Sequence, residues 1–161
     1  MMRRRAPTWL ATLLVAASPV LDAKVRCTVT ATPVQFGTYD PLNLAPALSS
    51  GTVVTTCRLM GALATATMLT SSFTAGSSGK YATRTMTLGA NALLYNLYLD
   101  PAHSQIAGDG TGGSSTGRAT LNLSILSRTQ TWTETIYGSM PASQDAAPGT
   151  YTDSIVVTIN Y

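Results

Sequence analysis

From Val25 onward the apolar residues recur at every second position, and that period constrains the fold more than any other feature. Val25, Cys27 and Val29 alternate with Arg26, Thr28 and Thr30, and Val53, Thr55 and Cys57 repeat the pattern after Gly51. Similar short runs follow at 64–70, 85–88, 93–99, 121–126, 132–137 and 151–160. Successive side chains on a strand point to opposite faces, so such runs predict half-buried strands. Threonine supplies 26 of the 161 residues, and β-branched side chains suit a pleated surface. No stretch carries the 3.6-residue stripe of an amphipathic helix. Turn formers separate the runs at Asp40-Pro41, 49–51, 76–79, 89–91 and Pro148-Gly149. Together these features predict an all-β sandwich of one domain. The stretch 108–117 (GDGTGGSSTG) reads as a long mobile loop.

Composition closes off other classes. Apolar residues make up 45% of the chain and charged ones 11%. Disordered chains have the opposite balance, and coiled coils need abundant Glu, Lys, Arg and Leu. The first residues have a separate character. Arg3, Arg4 and Arg5 precede an apolar run at 9–17, and small residues follow it. This is the layout of a secretory signal peptide over 1–23, cleaved after Ala23 or, as second choice, after Ala17. Pro19 and Asp22 end the run short of the about 20 apolar residues that a membrane span needs. The remaining domain, 24–161, is expected to be exported and to lack a membrane span.

Export gives the two cysteines a meaning. A pair such as Cys27 and Cys57 in an oxidising compartment is most simply one disulfide. There is no CxxC spacing and His103 is the single histidine, which argues against a redox or metal pair. Losing the leader also removes Arg3, Arg4, Arg5 and Asp22, taking the formal charge from +3 to +1. The arginines that remain (Arg26, Arg58, Arg84, Arg118 and Arg128) are spread along the chain and predict no basic face for nucleic acid.

The motif matches carry little chemistry. Residues 113–117 satisfy G-x-S-x-G, but that motif needs a strand-to-helix turn and a later histidine, and His103 precedes it. Gly108-Asp109-Gly110 lacks the helix and lysine of a phosphate loop. Asn122-Leu123-Ser124 is a glycosylation sequon inside an alternating strand. Asp100 and Asp109 flank the glycine loop but fall far short of the roughly six to eight oxygens that calcium takes. No catalytic group, cofactor or metal site is expected, and the chain does not read as an enzyme.

Several segments together resemble a known family. Residues 27–41 (CTVTATPVQFGTYDP) resemble the opening of spore coat protein U-like domains. Later pieces fall in the same order: 51–57 (GTVVTTC), 84–86 (RTM), 94–100 (LYNLYLD), 108–111 (GDGT), 137–142 (YGSMPA) and 148–153 (PGTYTD). One departure is Ile106-Ala107, where the family often places a tryptophan. Such domains include subunits of archaic (Csu-type) chaperone–usher pili and coat proteins of some spores. The resemblance implies an immunoglobulin-like β-sandwich lacking its last strand. It further implies a groove filled first by a periplasmic chaperone and then by the N-terminal strand of another pilus subunit, with an outer-membrane usher as a further partner. This is a form of β-augmentation. The implied protein is a secreted structural subunit, periplasmic in transit and then at the cell surface in a pilus or coat.

The terminal segment agrees with that scheme. Ile155, Val157, Ile159 and Tyr161 fall on one face and are the expected acceptor-groove residues. An apolar strand with an unpaired edge is an aggregation hazard for a lone molecule. Cleavage after Ala23 leaves Lys24-Val25-Arg26 before Cys27, whereas a donor strand takes about ten residues at roughly 3.3 Å each. A subunit with so short an arm is expected to accept without donating, and so to end a fibre at its tip as an adhesin-like subunit or to act outside a pilus altogether. The alternative is a free-standing secreted β-sandwich that binds a carbohydrate or surface ligand, with Trp132 and the tyrosines available for stacking.

Overall fold

The computed structural model describes residues 25–161; the expected leader and its cleavage sites lie outside the described residues. Eight strands run in chain order: β1 (Val25–Thr32), β2 (Ala47–Leu59), β3 (Thr65–Phe73), β4 (Arg84–Leu88), β5 (Asn91–Tyr98), β6 (Gly117–Leu123), β7 (Thr129–Met140) and β8 (Val157–Asn160). Five of them form one sheet in the order β1-β2-β7-β5-β4, and three form a second in the order β6-β3-β8. All the strand pairings are antiparallel. The result is the expected immunoglobulin-like sandwich.

The period of two produces this architecture directly. Along β2, Val53, Thr55, Cys57 and Leu59 are buried, while Arg58 is exposed and Thr52, Val54 and Thr56 are half-buried. The inner side chains form two apolar clusters. One gathers Val53, Phe73, Leu93, Tyr95, Leu97, Ile136 and Met140. The other gathers Cys57, Leu59, Leu69, Leu121 and Leu123, and Ile159 packs against both. Cys27 and Cys57 are directly opposite in the β1–β2 ladder and form the expected disulfide across a sequence separation of 30. Closing a loop of that size stabilises the fold by about 3 to 4 kcal/mol in the chain-entropy model.

Two expectations need correction. The stretch 108–117 is a bonded structure rather than an open linker. Ser114 is buried, its hydroxyl donates to Thr111 O at 2.7 Å, and Gly110 N donates to that hydroxyl at 3.2 Å. Ala107 and Ser115 form a β-bridge, and Gly117 already begins β6. The terminal run 151–160 is not one strand. Thr152 bridges to Thr87 on β4, and the chain then crosses to the other sheet, where β8 pairs with β3.

Two buried polar groups shape the interior. Arg84 is fully buried and donates to Asn96 Oδ1 (2.8 Å), Thr74 O (2.9 Å) and Ala107 O (2.6 Å). Its guanidinium also lies over the Tyr81 ring, 5.3 Å from the centroid. Burial pulls this group below its ordinary range, and the neighbouring Tyr95, Tyr81 and Asp153 oppose the shift. Glu134 projects inward from β7 next to Ser71, and among the described residues Glu134 Oε2, Ser71 Oγ and the buried Thr55 Oγ1 on β2 have no hydrogen-bond partner. Gly117 makes room for this group, because a Cβ there would collide with Glu134 and Ser71. Burial pushes the Glu134 carboxyl up, with the nearby Ser71 hydroxyl offsetting part of the effect.

These groups generate two predictions. Arg84→Met leaves Thr74 O and Ala107 O without a donor, each worth about 1 to 3 kcal/mol, while Asn96 Oδ1 keeps its bond from Leu97 N at 2.9 Å. The expected loss in urea unfolding is therefore at least about 2 kcal/mol, and Arg84→Lys recovers only part of it because an ammonium cannot span the three sites. For Glu134 the native state favours the protonated carboxyl. Its contribution is complete below the ordinary value of 4.5 and is lost as pH rises through the shifted value. Glu134→Gln should melt higher than the parent at about pH 8, with the gap closing towards about pH 4.

Candidate functional site

Among the described residues the five-stranded sheet is faced by three strands, and the shortfall leaves a cleft. Its floor consists of Val53, Leu93, Tyr95, Leu97, Ile136 and Met140 from the larger sheet, with Met86 beside them. One wall is the irregular segment after β1, where Val34, Phe36 and Tyr39 turn their side chains inward. The opposite wall is the terminal segment, through Ala146, Tyr151, Asp153, Ile155 and Val157. Two hollows of about 860 and 390 Å³ share Val34, Phe36, Met86 and Asp153 and so make one continuous cleft. Nearby, Val29 is 44% exposed although it shares the inner face of Cys27, so part of the sandwich interior is uncovered.

Each wall is anchored. Tyr39 donates to Pro141 O (2.9 Å) and accepts from Gln144 N (2.8 Å). Gly138 on β7 lets the same wall sit close, since a Cβ there would meet Val34 and Phe36. Asp153 holds the other wall. It accepts from the Tyr95 hydroxyl (2.6 Å), Ser77 N (2.9 Å) and Ser154 N (2.8 Å). Burial pushes the Asp153 carboxyl up, but these hydrogen bonds outweigh it and hold the group below its ordinary value. Burial, and then the bond to Asp153, push the Tyr95 phenol up. By spending its carboxylate on a loop and a floor residue, Asp153 bends the chain out of one sheet and towards the other.

The edge of β8 gives the cleft its chemistry. Thr74 N donates to Val156 O at 3.0 Å. Bonded and non-bonded positions alternate along an antiparallel ladder, so Thr158 and Asn160 also face β3. Val157 and Ile159 therefore turn their N–H and C=O groups away from β3, to the side where no described strand lies. Apolar floor, unpaired backbone edge and open mouth together suit an extended peptide segment.

The expected acceptor residues divide. Ile155 and Val157 line the cleft, Ile159 is half-buried between the two clusters, and Tyr161 is 59% exposed. Sequence reasoning missed the 33–39 wall, Met86, Tyr95 and Asp153. Trp132, considered for stacking, packs against the second cluster. The G-x-S-x-G run leads into strand β6 rather than a helix. His103 lies edge-on to Tyr98 and Tyr137, with ring centroids 5.0 and 6.4 Å away. Asp100 and Asp109 bond to their own loops, through Ser104, Gln105 and Thr111.

The sequence profile of the Spore Coat Protein U domain matches residues 11–158. The chain belongs to this family. Protein U of Myxococcus xanthus is a relative, 33% identical over 134 residues that cover 78% of this chain and 70% of that protein. Among solved structures, the CsuC–CsuE chaperone–tip adhesion subunit pre-assembly complex from the archaic chaperone–usher Csu pili of Acinetobacter baumannii is similar, with a TM-score of 0.48 and 19% identity. That match covers 85% of this chain and 40% of the other. Within the Spore Coat Protein U domain of this chain, the residues that line the cleft fall largely in 31–41 and 146–157, inside the matched range.

The Asp153 anchor yields a further prediction. Asp153→Ala removes hydrogen bonds to a charged acceptor and should cost about 1.5 to 3 kcal/mol in chemical unfolding. Because the native carboxyl is held low, its contribution is present above the ordinary 3.8 and is lost as pH falls. Asp153→Asn should accordingly flatten the acid limb of the stability curve, measured by thermal melts from neutral to acid pH.

Proposed function

We propose that this domain is a secreted structural subunit of a surface pilus or coat that assembles by accepting a strand from a partner. One observation carries the reading: the cleft sets an apolar floor beside the unpaired backbone groups of Val157 and Ile159. A strand laid there would pair with that edge and bury alternate side chains among Phe36, Val53, Tyr95, Ile136 and Val157. This is β-augmentation, in which backbone bonds give affinity and pockets for alternate side chains give selectivity. Ile155, Val157 and Ile159 are the acceptor residues in this reading, with Tyr161 at the margin. The partners are a periplasmic chaperone in transit, an outer-membrane usher, and other subunits at the surface. The leader 1–23 and a tip position belong to the same proposal: with cleavage after Ala23, three residues precede Cys27 and cannot serve as a donor strand.

Two experiments test it. A synthetic peptide of alternating apolar residues should bind the purified chain and raise its melting temperature. Ile155→Asp should weaken that binding roughly tenfold or more, since burying such a side chain is worth about 1.5 to 3 kcal/mol. A chain that is soluble alone, melts in two states and ignores the peptide would sink the proposal. For the leader, mass spectrometry of the exported protein should find Lys24 at the N-terminus. A start well before residue 15 would remove the argument for the tip.

A further inference from the structure

At the end of β2 away from the cleft, two loops meet at one pole of the sandwich. They are 60–64, between β2 and β3, and 124–128, between β6 and β7. Leu59 N donates to Arg128 O at 2.8 Å and Thr65 is opposite Leu123, which holds the loops side by side. The second loop is a tight turn: Ser124 N donates to Ser127 O and Ser127 N to Ser124 Oγ, both at 3.0 Å. The Gln130 side chain braces its base, donating to Asn122 O (2.7 Å) and accepting from Asn122 N (3.1 Å).

The corners of this braced turn hold the wrong residues for a turn alone. Gly, Asn, Asp and Ser usually fill such positions, because they adopt the backbone conformation or bond to it. Here Ile125 and Leu126 occupy them, 58% and 95% exposed, and Met60 and Leu63 on the adjoining loop are exposed too. None of the four is needed to complete either apolar cluster.

The charges around the pole are of one sign. Arg26 and Arg58 are directly opposite in the β1–β2 ladder, on the outer face, and both are exposed. Like charges in that position repel. Arg128 is exposed beside Leu59. Among the described residues, the acids are Asp40, Asp100, Asp109, Glu134, Asp145 and Asp153, and none lies on these loops or on β1, β3 or β6. An apolar tip ringed by unmatched arginines complements a surface that is anionic outside and apolar just beneath.

We propose that this pole, made of Ile125, Leu126, Met60 and Leu63 with Arg26, Arg58 and Arg128, is a contact surface for an anionic lipid bilayer. The turn inserts its two apolar corners at the headgroup boundary, while the arginines meet the lipid phosphates. Apolar burial and electrostatic attraction add in such interfacial binding. The pole is separate from the cleft, so it operates whether or not a strand occupies that site.

Vesicle flotation tests the assignment. The full chain, monomeric by gel filtration and with the cleft peptide bound where that is needed, is mixed with vesicles of phosphatidylglycerol and phosphatidylcholine in equal parts. A parallel sample receives phosphatidylcholine alone. The chain should float with the anionic vesicles only, and less as salt rises. Arg58→Ser and Arg128→Ser should each weaken binding about fivefold, and the double variant Ile125→Ser, Leu126→Ser should weaken it at least about tenfold. All four positions are exposed, so melting temperatures should stay the same, which separates loss of contact from loss of fold. Equal binding to neutral vesicles, full binding by the serine double variant, or no binding at all would overturn the proposal. Capture by soluble dextran sulfate without vesicle binding would also overturn it, and would make the pole a polyanion site instead.

Discussion

A guanidinium shut off from solvent, with no carboxylate bonded to it among the described residues, sits where three parts of the chain meet. Arg84 takes Thr74 from the end of β3, Asn96 from β5 and Ala107 from the bridge before the glycine loop. Taking a cation out of water is costly, and these three acceptors offset part of that cost through the two terminal nitrogens, while Nε has no partner among the described residues. The consequences spread outward. β5 supplies the cleft floor through Leu93, Tyr95 and Leu97, and Tyr95 in turn fixes Asp153. Asp153 bends the terminal segment into a wall. Removing the cation would loosen the floor, the bend and the glycine loop together.

The cleft is a matter of unequal layers. Five strands on one side cannot be covered by three on the other, and the excess apolar surface emerges between the 33–39 segment and β8. An ordinary sandwich would close this gap with one more strand beside β8. The proposed role uses the gap instead, so that one structural deficit supplies both the apolar floor and the unpaired edge. Membership of the Spore Coat Protein U domain family gives the fold its context, while the case for strand acceptance rests on Val157, Ile159 and the floor beneath them.

Much of the fold was legible because most inward positions are apolar and the period of two reports them. β2 and the Cys27–Cys57 pairing follow from alternation and export alone. The failures came where a polar side chain keeps the apolar phase. Arg84 is in step with Met86 on β4, which puts it on an inner face, but a lone arginine in a list of five spread along the chain gives no sign of burial. Asp153 is in step with Tyr151 and Ile155, and treating it as an ordinary strand residue made 151–160 a single strand. The run 108–117 has the composition of a linker, but Ser114 is buried and bonded, which composition does not report. The wall at Val34 and Phe36 was missed because Pro33 and Gly37 bracket it and no ladder forms there. In each case hydrogen-bond partners distant in sequence decided the outcome.

The distances in sequence behind the cleft also set an order of events. Tyr39 bonds to Pro141 across 102 residues, and Asp153 to Ser77 across 76. Contacts so remote form late, because the loop they close must first lose its freedom. Neither wall can stand until strands from both halves of the chain have met, and β8 is the last of the eight to emerge in synthesis. The receptive edge therefore comes into being only as the rest of the sandwich completes. Until then the same apolar strands are open to wrong partners, and a folding helper that engages β8 would act at the step where the chain is most exposed.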